Sequence, residues 1–148
     1  MSCVATNAEA IQAAYLDVRD DKTDTDWLLL EFVDKSKELS VAQTGNGGLD
    51  ELKNHLKSGD LAFAYVRMTI ANDELSQRAK FVLIYWGGNA SLIRKAKLSF
   101  YGAEVKTIIT HYAIDRNVDT LEELDTASVV QDLRKAGGAN YDRQASDY

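Results

Sequence analysis

The side chains that could ligate a transition metal or act as a nucleophile are few and scattered. His55 and His111 are the only histidines and Cys3 the only cysteine, and none has a second ligand at metal-binding spacing. A cysteine–histidine pair finds no support either. The acid run Asp20, Asp21, Asp24 and Asp26 invites calcium, but it lacks the central glycine and distal glutamate that fold such a loop around its ion. Gly45-Asn46-Gly47-Gly48 is glycine-rich without the Lys-Ser or Lys-Thr end of a phosphate loop, so it reads as a loop before a helix. Carboxylates are abundant, yet acid–base catalysis needs a pair held in contrasting environments, which no spacing here supplies. No cofactor is expected. What remains is positive charge: Arg78, Lys80, Arg94, Lys95, Lys97, Lys106, Arg134 and Lys135 gather in the second half of a chain whose net charge is -6. A locally basic surface suits an acidic partner, whereas the acidic average argues against nucleic acid.

The elements that would carry these residues follow from the apolar pattern. Leu61–Ile70 and Lys80–Trp86 are apolar at nearly every position and predict two strands of a hairpin buried on both faces, joined by the polar turn 71–76. Helices must then cover each side of the sheet. Trp27–Val33 predicts a further strand, and the more polar Leu39–Gln43 one nearer an edge, with a turn at 34–37 between them. Thr6–Asp20 predicts a helix with a Thr6/Glu9 capping box and a stripe of Ile11, Ala14, Tyr15 and Val18. Leu49, Leu52 and Leu56 recur at helical spacing, with Gly59 placed to end that helix. From Ala90 to Thr110, Arg94, Lys95, Lys97 and Lys106 alternate with Leu92, Ile93, Ala96, Val105 and Ile109, a helical mixture whose basic side chains face water.

Tyr112–Val118 predicts another strand and Thr120–Glu123 a second capping box. Thr126–Ala136 predicts a final helix bearing Val129, Val130 and Leu133, with Arg134 and Lys135 near its carboxyl end and Gly137-Gly138 stopping it. A polar, flexible tail over about 139–148 follows, in which Tyr141 could dock. At 148 residues the chain predicts one domain over 1–148, with no repeat, no linker and no proline. One cysteine, near an end expected to be mobile, excludes an intrachain disulfide and fits a reducing compartment. The first residues carry no signal-peptide pattern and no run suits a membrane span, so a cytoplasmic chain is expected.

Particular segments carry a resemblance. Tyr15–Asp21, Ser76–Phe81, Ile84-Tyr85-Trp86, Arg94–Lys97 and Lys135–Asp142 resemble the coactosin branch of the actin-depolymerising-factor homology family, which includes cofilin, and the likeness spans nearly the whole chain. The resemblance implies an α/β (α+β mixed) fold with a central mixed sheet flanked on both faces by helices, and filamentous-actin binding without catalysis. It further implies a monomeric protein of the actin cytoskeleton that binds along filaments with little severing or depolymerising activity, opposes barbed-end capping, and binds monomeric actin weakly. A cofilin-like monomer binder or filament-severing protein is the alternative.

The family's key basic residue before the fourth strand falls on Lys80, and a second, in the last helix, on Lys135. Arg78, Arg94, Lys95, Lys97, Lys106 and Arg134 are the further candidate contacts, with the fold expected to bring the 94–97 cluster toward the same edge as Lys80. Gln77 stands where the pattern has lysine. Trp86-Gly87-Gly88-Asn89 replaces the Trp-x-Pro of cofilin-like chains, so the start of the following helix is expected to be less fixed. Ser2 sits at the cofilin regulatory position without resembling its surroundings.

Overall fold

The computed structural model describes residues 3–33, 37–71 and 77–147. Its elements, in chain order, are α1 (Ala8–Arg19), β1 (Trp27–Phe32), β2 (Leu39–Gly45), α2 (Gly48–Lys53), β3 (Ala62–Ala71), β4 (Gln77–Trp86), α3 (Leu92–Val105), β5 (Ile114–Val118), a 3-10 turn (Leu121–Leu124) and α4 (Thr126–Asp147). Ser2 and most of the turns expected at 34–37 and 71–76 lie outside the described residues, as do the side chains of Arg78 and Tyr141.

Five strands form one sheet in the order β2-β1-β3-β4-β5. The first four pair antiparallel, and β5 joins β4 in parallel from Val82↔Ile114 to Trp86↔Val118. A parallel neighbour needs a crossover, which α3 supplies. Strand alternation then divides the core into two. Leu28, Leu30, Phe63, Tyr65, Phe81, Leu83 and Tyr85 face α1 and α3, where Ile11, Tyr15, Val18, Leu98, Tyr101 and Val105 meet them. Leu29, Ala64, Val66, Val82, Ile84 and Trp86 face α2 and α4, where Leu49, Leu52, Val129 and Leu133 close the second layer. The continuous apolar runs of β3 and β4 exist because both faces are covered.

Several expected boundaries shift, each for a local reason. The Thr6/Glu9 capping box does not form: Thr6 Oγ1 donates to Glu38 Oε1 at 3.1 Å, and Asn7, at the helix N-cap, donates its side-chain amide to the Leu39 carbonyl at 2.8 Å. Cys3 itself is held in the fold. Its N–H donates to Glu104 Oε2 at 2.8 Å, its carbonyl accepts the Leu39 N–H at 2.8 Å, and its side chain is buried, so the segment starting at Cys3 forms a strap across the β2 edge and α3. α2 ends at Lys53, although Leu56 beyond it is still buried.

β4 begins at Gln77, so Lys80 is its fourth residue and not its first. β5 starts at Ile114, two residues late, after Ala113 N–H donates to the Phe81 carbonyl. Thr120 makes no side-chain cap, while Glu123 Oε2 accepts the Asp119 N–H at 3.0 Å. α4 runs through Gly137-Gly138 to Asp147. Both glycines hold helical backbone, which costs about 1 kcal/mol each against alanine but does not forbid a helix.

Candidate functional site

The glycine-rich loop before α2 offers amides of the kind a phosphate would need, and a carboxylate of the chain already takes them. Glu51 Oε1 accepts from Asn46 N–H at 3.2 Å, Gly47 N–H at 3.0 Å and Trp27 Nε1 at 2.8 Å. The indole bond and then the Gly47 amide hold the Glu51 carboxyl below its usual range. Among the described residues no three His, Cys, Asp or Glu side chains come together to hold a metal ion, and no helix is long and apolar enough to cross a membrane.

The basic candidates divide into two groups. Lys80 shares its register face with Val82, Ile84 and Trp86, the side covered by α2 and α4, and pairs with Met68 across the hairpin. It is half-buried, inside a ten-residue strand, which restricts where its ammonium can point. Arg78 lies two residues earlier in β4, paired with Ile70. Arg134 and Lys135 are exposed on α4, just beyond the Val129–Leu133 contact on that same side of the sheet. Lys80, Arg134 and Lys135 make no ion pair among the described residues.

The second group belongs to α3, over the opposite face. Arg94 Nη1 donates to the Gly59 carbonyl at 2.7 Å, just before β3, whose Ala62 pairs with Trp86. That is the far end of the hairpin from Lys80, about 20 Å away for six residues of strand. The 94–97 cluster therefore does not share an edge with Lys80. Lys95 Nζ bonds Asp119 Oδ2 at 3.0 Å, and Lys106 Nζ bonds Asp115 Oδ2 at 2.8 Å. Lys97 is exposed and makes no ion pair among the described residues. Nor is the helix start loose: Ser91 Oγ accepts the Arg94 N–H at 3.3 Å, a side-chain cap that serves where proline is missing.

α3 also shows what charge alone did not point to. Leu92 is 82% exposed, Ile93 81% and Phe100 69%, while Leu98, Tyr101, Gly102 and Val105 are buried. At about 100° per residue, Leu92, Ile93, Ala96 and Phe100 fall on the side of the helix opposite the buried stripe. The pattern was available from sequence once Leu98, Tyr101 and Val105 were recognised as a complete inward stripe. Three large apolar side chains stand in water on one helix, flanked by Lys97, an exposed apolar surface of the kind that protein interfaces use.

Comparison with known proteins agrees with the fold. The chain is 36% identical over 143 residues to drebrin-like protein B of Xenopus laevis, covering 93% of this chain but 36% of that one, so it spans about a third of that relative's length. It is 37% identical over 130 residues to coactosin of Entamoeba histolytica, covering 84% of this chain and 86% of the relative. The solution structure of mouse coactosin, described as an actin filament binding protein, superposes with a TM-score of 0.72 at 30% identity over 97% of both chains. Residues 4–134 match the family of cofilin/tropomyosin-type actin-binding proteins, and with the five-stranded mixed sheet and its covering helices the chain belongs to that family.

Proposed function

We propose that this protein acts without catalysis, by binding along the sides of actin filaments. The observation that carries the reading is the solvent-facing apolar surface of α3, where Leu92, Ile93 and Phe100 stand in water on a helix anchored at its amino end. Lys97 adds a cation to that surface. Lys80, Arg134 and Lys135, on the other layer and toward the other end of β4, form a second basic contact, with Arg78 beside Lys80 in the strand. Two separated contacts suit a polymer that presents more than one subunit to each bound molecule. Preference for filaments over monomers is supported by the likeness to mouse coactosin, the actin filament binding protein. Little severing, antagonism of barbed-end capping and a place in the actin cytoskeleton belong to the same proposal.

The test is co-sedimentation with filamentous actin over a salt series, paired with a pyrene-actin depolymerisation trace and the same trace in the presence of a barbed-end capping protein. Filament binding predicts protein in the pellet, weakening as salt rises, with the uncapped trace nearly unchanged. Protein left in the supernatant with faster loss of filaments would replace this reading by a cofilin-like monomer binder.

A further inference from the structure

We infer that Arg94 and Lys95 are positioning residues that set the direction in which α3 presents Leu92 and Ile93, and that Gly88 is the third member of the same clasp; the inference deepens the proposed role of α3 and rests on it. Three loops meet at the amino end of that helix. The loop before β3 is tied to the β4–α3 connection by the Gly59 N–H, which donates to the Gly88 carbonyl at 2.6 Å, and by Trp86 Nε1, which donates to the Lys57 carbonyl at 2.8 Å. Arg94 then reaches back from the first turn of α3 to the Gly59 carbonyl at 2.7 Å, so Gly59 is held through both of its backbone polar groups.

The exit of β5 is bound to the same connection. Gly87 N–H donates to the Val118 carbonyl at 2.7 Å, and Lys95 Nζ bonds Asp119 Oδ2 at 3.0 Å. Gly88 has φ +57, and a Cβ on it would lie 2.9 Å from both the Asp60 and Lys57 carbonyl oxygens. A side chain there is strained by its backbone and also blocked by neighbouring backbone. Leu92 and Ile93 directly precede Arg94 and Lys95, so each anchored side chain fixes the outlook of an exposed one a fraction of a turn away.

Arg94 and Lys95 carry charge, and on charge alone they read as contacts to an acidic partner. Their geometry gives them another duty: Arg94 is held by a carbonyl of its own chain and Lys95 by a carboxylate of its own chain, whereas Lys97 on the same helix has no such ion pair among the described residues. A positioning role and a contact role separate experimentally, because removing a positioning cation loosens the local backbone of the free protein, whereas removing a contact cation lowers the salt dependence of binding and leaves that backbone alone.

The experiment uses the full chain with the substitutions Arg94→Ala, Arg94→Lys, Gly88→Ala, Lys97→Ala and Ile93→Ser. Backbone hydrogen exchange is measured on the free protein, and filament co-sedimentation over a salt series. Arg94→Ala and Gly88→Ala are expected to speed exchange at Gly59 and in the first turn of α3 and to weaken filament binding by about fivefold or more, with the salt slope unchanged in Gly88→Ala and altered less by Arg94→Ala than by Lys97→Ala. Lys97→Ala should flatten the salt slope and leave that exchange alone. If Gly88→Ala fails to fold, Arg94→Ala decides alone. Arg94→Ala that flattens the salt slope without altering exchange, with Arg94→Lys restoring both binding and slope, would make Arg94 a direct contact and overturn the inference. Unchanged exchange in Arg94→Ala would overturn the clasp itself, and faster exchange with undiminished binding would overturn its link to function. Normal binding by Ile93→Ser has a different meaning: it removes α3 from the filament contact, and with it the functional half of the inference, while the exchange data still decide whether the clasp exists.

Discussion

The Lys106 ammonium lies 2.8 Å from Asp115 Oδ2, with the Tyr85 and Tyr112 rings 5.5 and 5.6 Å away, so the residue that caps the carboxyl end of α3 is joined to the start of β5. The Asp115 bond first, and then the Tyr85 hydroxyl, raise the Lys106 pKa well above its usual value. Both partners are more than a third exposed, so solvent screening keeps the pair weak. A double-mutant cycle with Lys106→Ala and Asp115→Ala is expected to give a coupling of about 0.5 kcal/mol in urea unfolding. Filament binding by Lys106→Ala should match the unmodified protein at every salt concentration. A flatter salt slope would return Lys106 to the interface.

Lys80 and Lys135 are expected to report one contact. Lys80→Ala and Lys135→Ala should each weaken co-sedimentation, the Lys80 change severely, and the pair together should nearly abolish it. Circular dichroism should be unchanged and stability should move by about 0.5 kcal/mol or less, because neither cation is in an ion pair among the described residues. Undiminished binding by folded Lys135→Ala would reduce that residue to an ordinary solvated cation near a helix carboxyl end.

Arg67 is predicted to matter for stability and not for binding. From β3 its Nη1 donates to the Val18 and Asp20 carbonyls, each at 2.9 Å, and its Nη2 to the Thr23 carbonyl at 3.0 Å, so one guanidinium ties the carboxyl end of α1 and the following turn to the sheet. Arg67→Ala leaves those carbonyls without this donor and should lower unfolding free energy by about 2–3 kcal/mol, the scale of charge-assisted bonds lost at a half-buried site. Urea denaturation measures it. A loss no larger than that of a surface substitution would show that water replaces the donor.

His111 gives a pH prediction with a definite sign. Partial burial, followed by the positive charges of Arg19 and Lys80, holds its imidazole below the usual value. The folded state therefore binds this proton more weakly than the unfolded chain, whose histidine titrates near about 6.5. The associated stability is intact above that pH and is lost as pH falls from there through the lower, folded value. A proton NMR titration of His111 should show the depression, and Lys80→Ala should move it partly back upward. No change on removing Lys80 would leave partial burial and Arg19 as the causes of the depression.

The hairpin was legible because Phe63, Tyr65, Val82, Ile84 and Trp86 leave no polar face on either strand, and only a sheet covered on both sides accepts that. The roles on α3 were less legible. Composition marks Arg94, Lys95 and Lys106 as cations, but whether a cation faces a partner or its own chain depends on Gly59, Asp119 and Asp115, which are distant in sequence. The same limit applied to capping, where Thr6 found Glu38 across the fold instead of its own helix. The glycine pair at 137 and 138 misled for another reason: glycine ends a helix when it takes a left-handed conformation, and here both remain helical.

The amino-terminal strap makes the chain's single sulfhydryl a clock. Cys3 is 2% exposed, its Sγ lies 4.0 Å from the Tyr101 carbonyl, and burial, with help from Glu104, pushes its thiol up to about 12. In that state it is both shielded from reagents and protonated at neutral pH, so it cannot attack a chromogenic disulfide. Colour can develop only after the strap has lifted from β2 and α3 and released the thiol to its ordinary acidity. With reagent in excess, the plateau rate of the reaction is the lifting rate, a measurement that needs no label and no substitution.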